Sequence, residues 1–145
     1  MKRSVVIILY FLVILFLGCK EEKDEVKNIE VLTGENEYLI GHEIDVSVIN
    51  KLGKQVNYFR CDNVDFGPNE ILVQEDGFWK ETGFSIACTQ MGLMGYWGVL
   101  SIGETQYDTL TISEFGIYKL RYRFVSGNDT LDVDSNEFTI KGLEL

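Results

Sequence analysis

Cysteine and histidine are the side chains best suited to nucleophilic, acid–base or metal chemistry, and this chain has few of either. It contains three cysteines, Cys19, Cys61 and Cys88, and one histidine, His42. No CxxC spacing and no Cys/His cluster occurs, so the sequence predicts no metal site and no cofactor. His42 has no serine or cysteine nucleophile in a recognisable motif. We therefore predict that the protein is not an enzyme.

The first residues have the pattern of an export signal. Lys2 and Arg3 give a basic start, and Val5 to Leu17 is an uncharged run of 13 apolar residues. Spanning a bilayer core takes about 20 such residues, so the run is short for a transmembrane helix. A basic start, a short apolar run and a small residue before the cut are typical of a secretory signal peptide. Gly18 is that small residue, and Cys19 follows it directly.

The ending Leu15-Phe16-Leu17-Gly18-Cys19 resembles the lipobox of bacterial lipoproteins, in which the cysteine is diacylated and becomes the new N-terminus. The resemblance implies that residues 1–18 are a lipoprotein signal peptide and that the lipid on Cys19 attaches the protein to a membrane. Phe16 and Leu17 depart from the leucine and the small residue that are usual at these two positions. The alternatives are an ordinary signal peptide with a cysteine nearby and an uncleaved signal anchor.

The mature protein would be strongly acidic. Cleavage after Gly18 leaves 145 − 18 = 127 residues, which fits one domain with a hydrophobic core. The cut removes Lys2 and Arg3 but no acidic residue, so the net charge becomes 11 − 23 = −12. Nucleic acid phosphates would repel such a protein, and we predict no nucleic-acid partner. Solubility and repulsion between neighbouring copies are sufficient reasons for this acidity.

Residues 19–27 include the charge run Lys20-Glu21-Glu22-Lys23-Asp24-Glu25. Such a run buries no apolar surface, so we predict a disordered charged tether. A lysine followed by acidic residues after the lipidated cysteine also resembles the surface-export signal of lipoproteins in one Gram-negative phylum. That resemblance implies a location on the outer face of the outer membrane, with the periplasmic face as the alternative.

Two cysteines remain once Cys19 is assigned to the lipid. An even number in an exported protein predicts one disulfide, between Cys61 and Cys88, closing a loop of 88 − 61 = 27 residues. Two buried thiols are the alternative.

From Asn28 onward the dominant sequence period is two, which indicates β-strands. Asp76-Gly77 between apolar runs predicts a β-hairpin. Short strands separated by frequent turns predict an all-β sandwich. The clearest strand alternates between an apolar and a basic face: Tyr118, Leu120, Tyr122 and Phe124 against Lys119, Arg121 and Arg123.

Several segments together resemble bacterial immunoglobulin-like domains of lipoproteins. Glu114 to Tyr118 has the spacing of a tyrosine corner. The resemblance runs from Ile29 to Ile140 and implies an immunoglobulin-like antiparallel β-sandwich of about seven strands, in a domain of residues 28–145. It rests on turns and core positions and implies no active site. The segments that carry it are Asp76–Trp79, Ile102–Glu104, Gly116–Arg121 and Ser135–Ile140.

The segment from Thr89 to Gly98 alternates bulky apolar side chains with glycines. We interpret it as a loop that either covers an open end of the sandwich or contacts a partner, since aromatic and methionine side chains are favoured at contact surfaces. Its candidate contact residues are Met91, Leu93, Met94, Tyr96 and Trp97.

Two shorter patterns resemble a metal site and a glycosylation site. The segment Asp62 to Glu70 could offer oxygen ligands to Ca²⁺, but its spacing does not fit an EF-hand, and we predict an acidic turn. Asp108-Thr109-Leu110 and Asp129-Thr130-Leu131 both resemble the acceptor of periplasmic O-glycosylation in the same phylum, which makes Thr109 and Thr130 candidate glycosylation sites.

These observations predict a membrane-anchored, exported lipoprotein with a non-enzymatic binding or structural module. Its partners would be the membrane, through the lipid on Cys19, and a protein or a glycan. The alternative is a surface or periplasmic protein inhibitor, because some small bacterial proteinase inhibitors resemble this sandwich. An inhibitor would need a rigid exposed loop, and the loop between Cys61 and Cys88 is the candidate.

Overall fold

The computed structural model describes residues 28–61, 66–85 and 95–142. Within these ranges the chain is all-β, as predicted. The described strands are β1 (Ile29–Thr33), β2 (Glu37–Leu39), β3 (Glu43–Asn50), β4 (Val56–Cys61), β5 (Glu70–Glu75), β6 (Phe78–Ser85), β7 (Gly95–Leu100), β8 (Thr105–Thr111), β9 (Gly116–Ser126), β10 (Asp129–Asp134) and β11 (Phe138–Lys141).

The strands form two sheets that pack face to face, which confirms the predicted β-sandwich. The first sheet has the order β1-β3-β8. The second has the order β2-β11-β9-β4-β7, with β10 and β5 also paired to β9 and with β6 paired to β5. Alternate residues of both sheets point inward and make one shared core. Ile44, Val46 and Val48 of β3 pack there with Tyr122 and Phe124 of β9.

The predicted number of about seven strands is wrong, because several strands of the second sheet are interrupted. β10 and β11 follow one another along one side of β9, and β4 and β5 follow one another along its other side. β7 and β6 lie next, beside β4 and β5 respectively. Each interruption turns one long strand into two short ones. The sheet is also not purely antiparallel, since β2 pairs with β11 in parallel.

Two predicted local features are confirmed. Asp76 and Gly77 have φ angles of 51° and 81°, as a primed hairpin turn between β5 and β6 requires. The tyrosine corner is formed, since the Tyr118 hydroxyl donates a hydrogen bond to the carbonyl oxygen of Glu114 at 3.2 Å. Both features fix the ends of core strands.

The basic face of β9 is neutralised by its neighbours. Arg121 pairs with Asp134 and Arg123 pairs with Asp132, each at 2.7 Å, and Glu70 lies within ion-pair distance of both guanidinium groups. These half-exposed pairs each contribute little to stability, because water screens them. Their structural effect is to leave no free positive charge on this part of the outer face of the second sheet.

Candidate functional site

Strand β7 lies at an edge of the second sheet and pairs with β4. The prediction that Tyr96 and Trp97 belong to a loop is therefore wrong. Met91, Leu93 and Met94 lie outside the described residues. Among those described, β7 has no partner on its other side, so its outer backbone groups form an open edge.

A close approach between β4 and β7 explains why position 98 of this segment is a glycine. Gly98 lies opposite Tyr58 of β4, and a Cβ atom at Gly98 would come within 2.4 Å of the Tyr58 ring. The ring of Tyr58 occupies the space that a side chain at position 98 would need. Gly98 thus allows β7 to pair with β4 while a large ring fills the core.

The outward side chains of β7 form an apolar surface with those of β4. The Trp97 side chain is 59% exposed and the Val99 side chain is 46% exposed. The Trp97 ring packs edge-on against the ring of Phe59, its cross-strand partner, with 5.6 Å between centroids. We call Phe59, Trp97 and Val99 the contact face. Trp97 does not fill the core, so for this residue the interpretation as a core-covering plug is excluded.

The open edge lacks the protection that edge strands usually carry. Charged side chains, proline, bulges or a short strand normally keep a sheet edge from pairing with another chain. Of the eleven described strands, β7 alone contains no charged residue. The chain is in fact uncharged from Ile86 to Gly103. An uncharged edge on a domain with a net charge of 8 − 19 = −11 is unusual, and it marks β7 as the place where another strand can approach.

The inner face of the same strand pair carries a charged residue, Arg60, that the sequence analysis missed. Arg60 alternates with the buried residues Val56 and Tyr58, so a basic residue at an inward position was the available signal. Its guanidinium lies 4.4 Å from the centre of the Tyr96 ring. Burial acts to lower the pKa of Arg60, but the side chains of Tyr96 and Tyr58 outweigh it and raise the pKa, so the group stays charged.

Cys61 is the last residue of β4, at an interruption of the second sheet. Cys61 ends β4 opposite Gly95, and Glu70 begins β5 opposite Ser85. The strand ends at Cys61, Glu70, Ser85 and Gly95 therefore lie at the same level of the sheet. The side chain of Cys61 and the whole of Cys88 lie outside the described residues. The disulfide stays a prediction, which this placement favours.

We expect no free thiol on Cys61 or Cys88 in the mature protein. Reduction of the bridge should lower the free energy of unfolding by about 3–4 kcal/mol, the chain-entropy effect of a 27-residue loop. Thiol titration of the unfolded, unreduced protein and denaturant unfolding with and without reductant measure both effects. A Cys61→Ser/Cys88→Ser variant serves as the control whose stability reductant should not change. Two titratable thiols in the unfolded, unreduced protein would rule the bridge out.

The other candidate residues have ordinary structural surroundings. His42 lines a cavity with four carboxylates, Glu35, Glu37, Glu43 and Asp45. The described part of the chain contains no group of three or more histidine, cysteine or acidic side chains placed to hold a metal ion.

Asn69 and Glu70, at the end of the acidic turn, hold β9 through a hydrogen bond and an ion pair. The side chain of Glu70 pairs with Arg121, and the side-chain carbonyl of Asn69 accepts a hydrogen bond from the Arg123 backbone N–H. Thr109 and Thr130 are both exposed on strands. Residues 62–65 of the turn lie outside the described residues. Most of the segment between Cys61 and Cys88, the loop that an inhibitor would need, is described, and it contains the hairpin of β5 and β6.

The signal peptide, Cys19 and the tether also lie outside the described residues. No helix in residues 28–61, 66–85 and 95–142 is long and apolar enough to cross a membrane. Comparison with known proteins adds no relative, since no protein-family model, no curated protein and no solved structure matches the chain.

Proposed function

We propose that this protein is an exported lipoprotein, attached to a membrane by lipid on Cys19, whose β-sandwich binds a protein partner and catalyses no reaction. The partner contributes an extended, uncharged strand that pairs with the open edge of β7 and covers the contact face. The observation that carries this proposal is the uncharged edge strand with Trp97 exposed on it.

Addition of a strand to an exposed sheet edge is a common mode of protein recognition. Backbone hydrogen bonds along the edge supply affinity, and alternate side chains supply specificity. On β7 the alternate outward side chains are Trp97 and Val99. Tryptophan is also prominent among the residues that dominate binding energy at interfaces. A partner strand here would bury the Trp97 ring and would also form hydrogen bonds with the unpaired backbone groups of β7.

Charge favours an uncharged partner strand over a charged one. The mature chain repels acidic partners through its net charge of −12. The neighbouring outer face cannot attract acidic groups either, since Arg121 and Arg123 already pair with Asp134 and Asp132. The contact face itself holds no charged group. Apolar burial and backbone pairing are therefore the forces left to drive binding.

The proposed location is the outer face of the outer membrane, on the strength of the charge run from Lys20 to Glu25. The periplasmic face is the alternative. In either location the domain is tied to the membrane through residues 19–27, which reach at most about 30 Å when extended. The partner must then lie within a short distance of the membrane.

Truncation of Trp97 separates a contact surface from a core position. Trp97→Ala should cost about 1 kcal/mol of stability, because the exposed ring loses mainly its edge contact with Phe59. Phe124→Ala should cost about 3–5 kcal/mol, because that ring is fully buried. Thermal melting of the two variants measures the difference. Equal losses would mean that Trp97 belongs to the core, and the proposed binding surface would be wrong.

A further inference from the structure

The start of β1 identifies the end of the domain that lies nearest the proposed lipid anchor. Ile29 of β1 lies opposite Asn50, the last residue of β3, and the Lys51 backbone N–H donates a hydrogen bond to the Asn28 carbonyl oxygen at 2.8 Å. The tether therefore joins the domain here. The turn between β7 and β8 lies at the same end, since β8 begins opposite Ile49. We call residues 28, 50–55 and 101–104 the anchor end.

Asn50, which is completely buried, fixes both connections of the anchor end. Its backbone N–H donates to the Glu104 carbonyl oxygen at 3.0 Å, and its own carbonyl oxygen accepts from the Gly103 N–H at 2.8 Å. Its side-chain amide donates to the carbonyl oxygens of Lys54 and Leu100, both at 3.0 Å. Because one buried residue holds both segments through their backbones, the two segments present their side chains in a fixed arrangement.

Two exposed side chains of the anchor end have the chemistry that a lipid surface accepts. Ile102 lies in the turn between β7 and β8 and is 63% exposed. Lys54 is exposed and forms no ion pair with any residue that the structure describes. At a membrane interface an apolar side chain enters the boundary between headgroups and acyl chains, and an ammonium group is attracted to anionic headgroups.

The carboxylates of the anchor end are partly neutralised. Glu30 pairs with Lys51, and Glu104 accepts a hydrogen bond from the Ser101 backbone N–H, each at 2.7 Å. Asp129, in the turn after β9, stays exposed.

The opposite end of the domain carries the charge that an anionic membrane repels. Glu43 begins β3 and Asn50 ends it, so the two ends of the strand lie about 23 Å apart. At the Glu43 end one cavity is lined by four carboxylates, those of Glu35, Glu37, Glu43 and Asp45. Repulsion of these carboxylates and attraction of Lys54 both favour an orientation in which the anchor end faces the membrane.

We propose that the anchor end rests on the lipid surface, with Ile102 at the acyl boundary and Lys54 beside lipid phosphates. This inference rests on the proposed lipid on Cys19, which keeps the domain within about 30 Å of the membrane. One isoleucine and one lysine are too little to hold the domain there alone, so the contact orients a protein that the lipid has already attached. Because β7 ends at Leu100, its open edge then rises from the membrane surface.

Photo-crosslinking to lipid tests this contact on the mature lipidated chain in vesicles of phosphatidylethanolamine and phosphatidylglycerol. A photoreactive residue replaces Gly53, where nothing lies within 4 Å of a Cβ atom. The control position is Phe115, which is 77% exposed and precedes β9 at the opposite end. We expect a lipid-linked product from position 53 and none from position 115. No product from position 53, or equal products from both positions, would overturn the inference.

Flotation of the same vesicles measures the lipid anchor separately. Protein that floats without a product from position 53 contradicts only the contact of the anchor end. Protein that does not float contradicts the lipid anchor, and this inference fails with it.

Matched variants identify the side chains that make the contact. Ile102→Asp should reduce the lipid-linked product from position 53 roughly tenfold, since it removes an apolar side chain from the acyl boundary. Lys54→Glu should reduce it as well. Lys80→Glu makes the same charge change on β6, in the half of the domain away from the anchor end, and should leave the product unchanged. Both Ile102→Asp and Lys54→Glu should melt like the wild type, because both side chains are exposed. An unchanged product with Ile102→Asp would overturn the proposal.

Discussion

Replacing Cys19 with serine should release the protein from the membrane completely. Each acyl methylene contributes about 0.8 kcal/mol of membrane affinity, and a single chain binds only marginally, so two or three chains on one cysteine make attachment permanent. The acidic mature chain has no basic surface to hold it on anionic lipid once the lipid is lost. Fractionation of cells and culture medium measures the change, which should be from wholly membrane-bound to wholly soluble.

Cys61→Ser is the matched control for that experiment, because it removes a cysteine without removing the proposed lipid site. It should lower stability but leave the protein with the membranes. Intact cells that carry the wild-type protein can also be treated with protease. The protease should remove the domain if the domain lies on the outer surface. A Cys19→Ser protein that stays in the membrane fraction at full precursor length would contradict the lipoprotein assignment.

Gly98→Ala should destabilise the domain by about 3 kcal/mol or more, at the upper end of overpacking in a core. The new Cβ atom would lie 2.4–2.7 Å from three atoms of the Tyr58 side chain. Tyr58 cannot move away easily, since its ring packs against Phe66 with 4.5 Å between centroids. Thermal melting should show a fall of roughly 10 °C or more, given about 4–8 °C per kcal/mol in small domains.

Gly53→Ala is the control, since nothing lies within 4 Å of a Cβ atom at that position. It should leave the melting temperature almost unchanged. Adding Tyr58→Leu to Gly98→Ala should recover part of the loss, because a smaller side chain removes the clash, and the two sites are in contact. If Gly98→Ala has the same melting temperature as the wild type, β7 does not pair closely with β4 and the described edge is wrong.

The sequence predicted strands well where one face of the strand is buried. β9 alternates regularly because one side of it faces the core, and it was found at its predicted place. The predicted number of strands was too low because long strands of the second sheet are divided into β4 and β5, β6 and β7, and β10 and β11. No local pattern tells such an interruption from a connection between strands. β7 was missed because glycine in a run normally argues against a strand.

The candidate site was only partly predictable. Trp97 was identified from its residue type, but its partner Phe59 and the contact between Arg60 and Tyr96 depend on the register between β4 and β7. Register is set by contacts between distant residues, such as Tyr58 over Gly98, which a single sequence does not reveal. The open edge was likewise visible only after the order of strands in the sheet was known.

Photo-crosslinking from position 97 in intact cells tests the central claim, that the edge of β7 binds a protein partner. A photoreactive residue replaces Trp97, and the same residue at Phe115 or Phe78 provides two controls with at least 70% exposure elsewhere on the domain. We predict one crosslinked product from position 97, none from the controls, and loss of that product when Val99→Lys places a charge on the edge. Equal products from all three positions, no product from position 97, or a product with the mass of two copies of this chain would contradict the proposal.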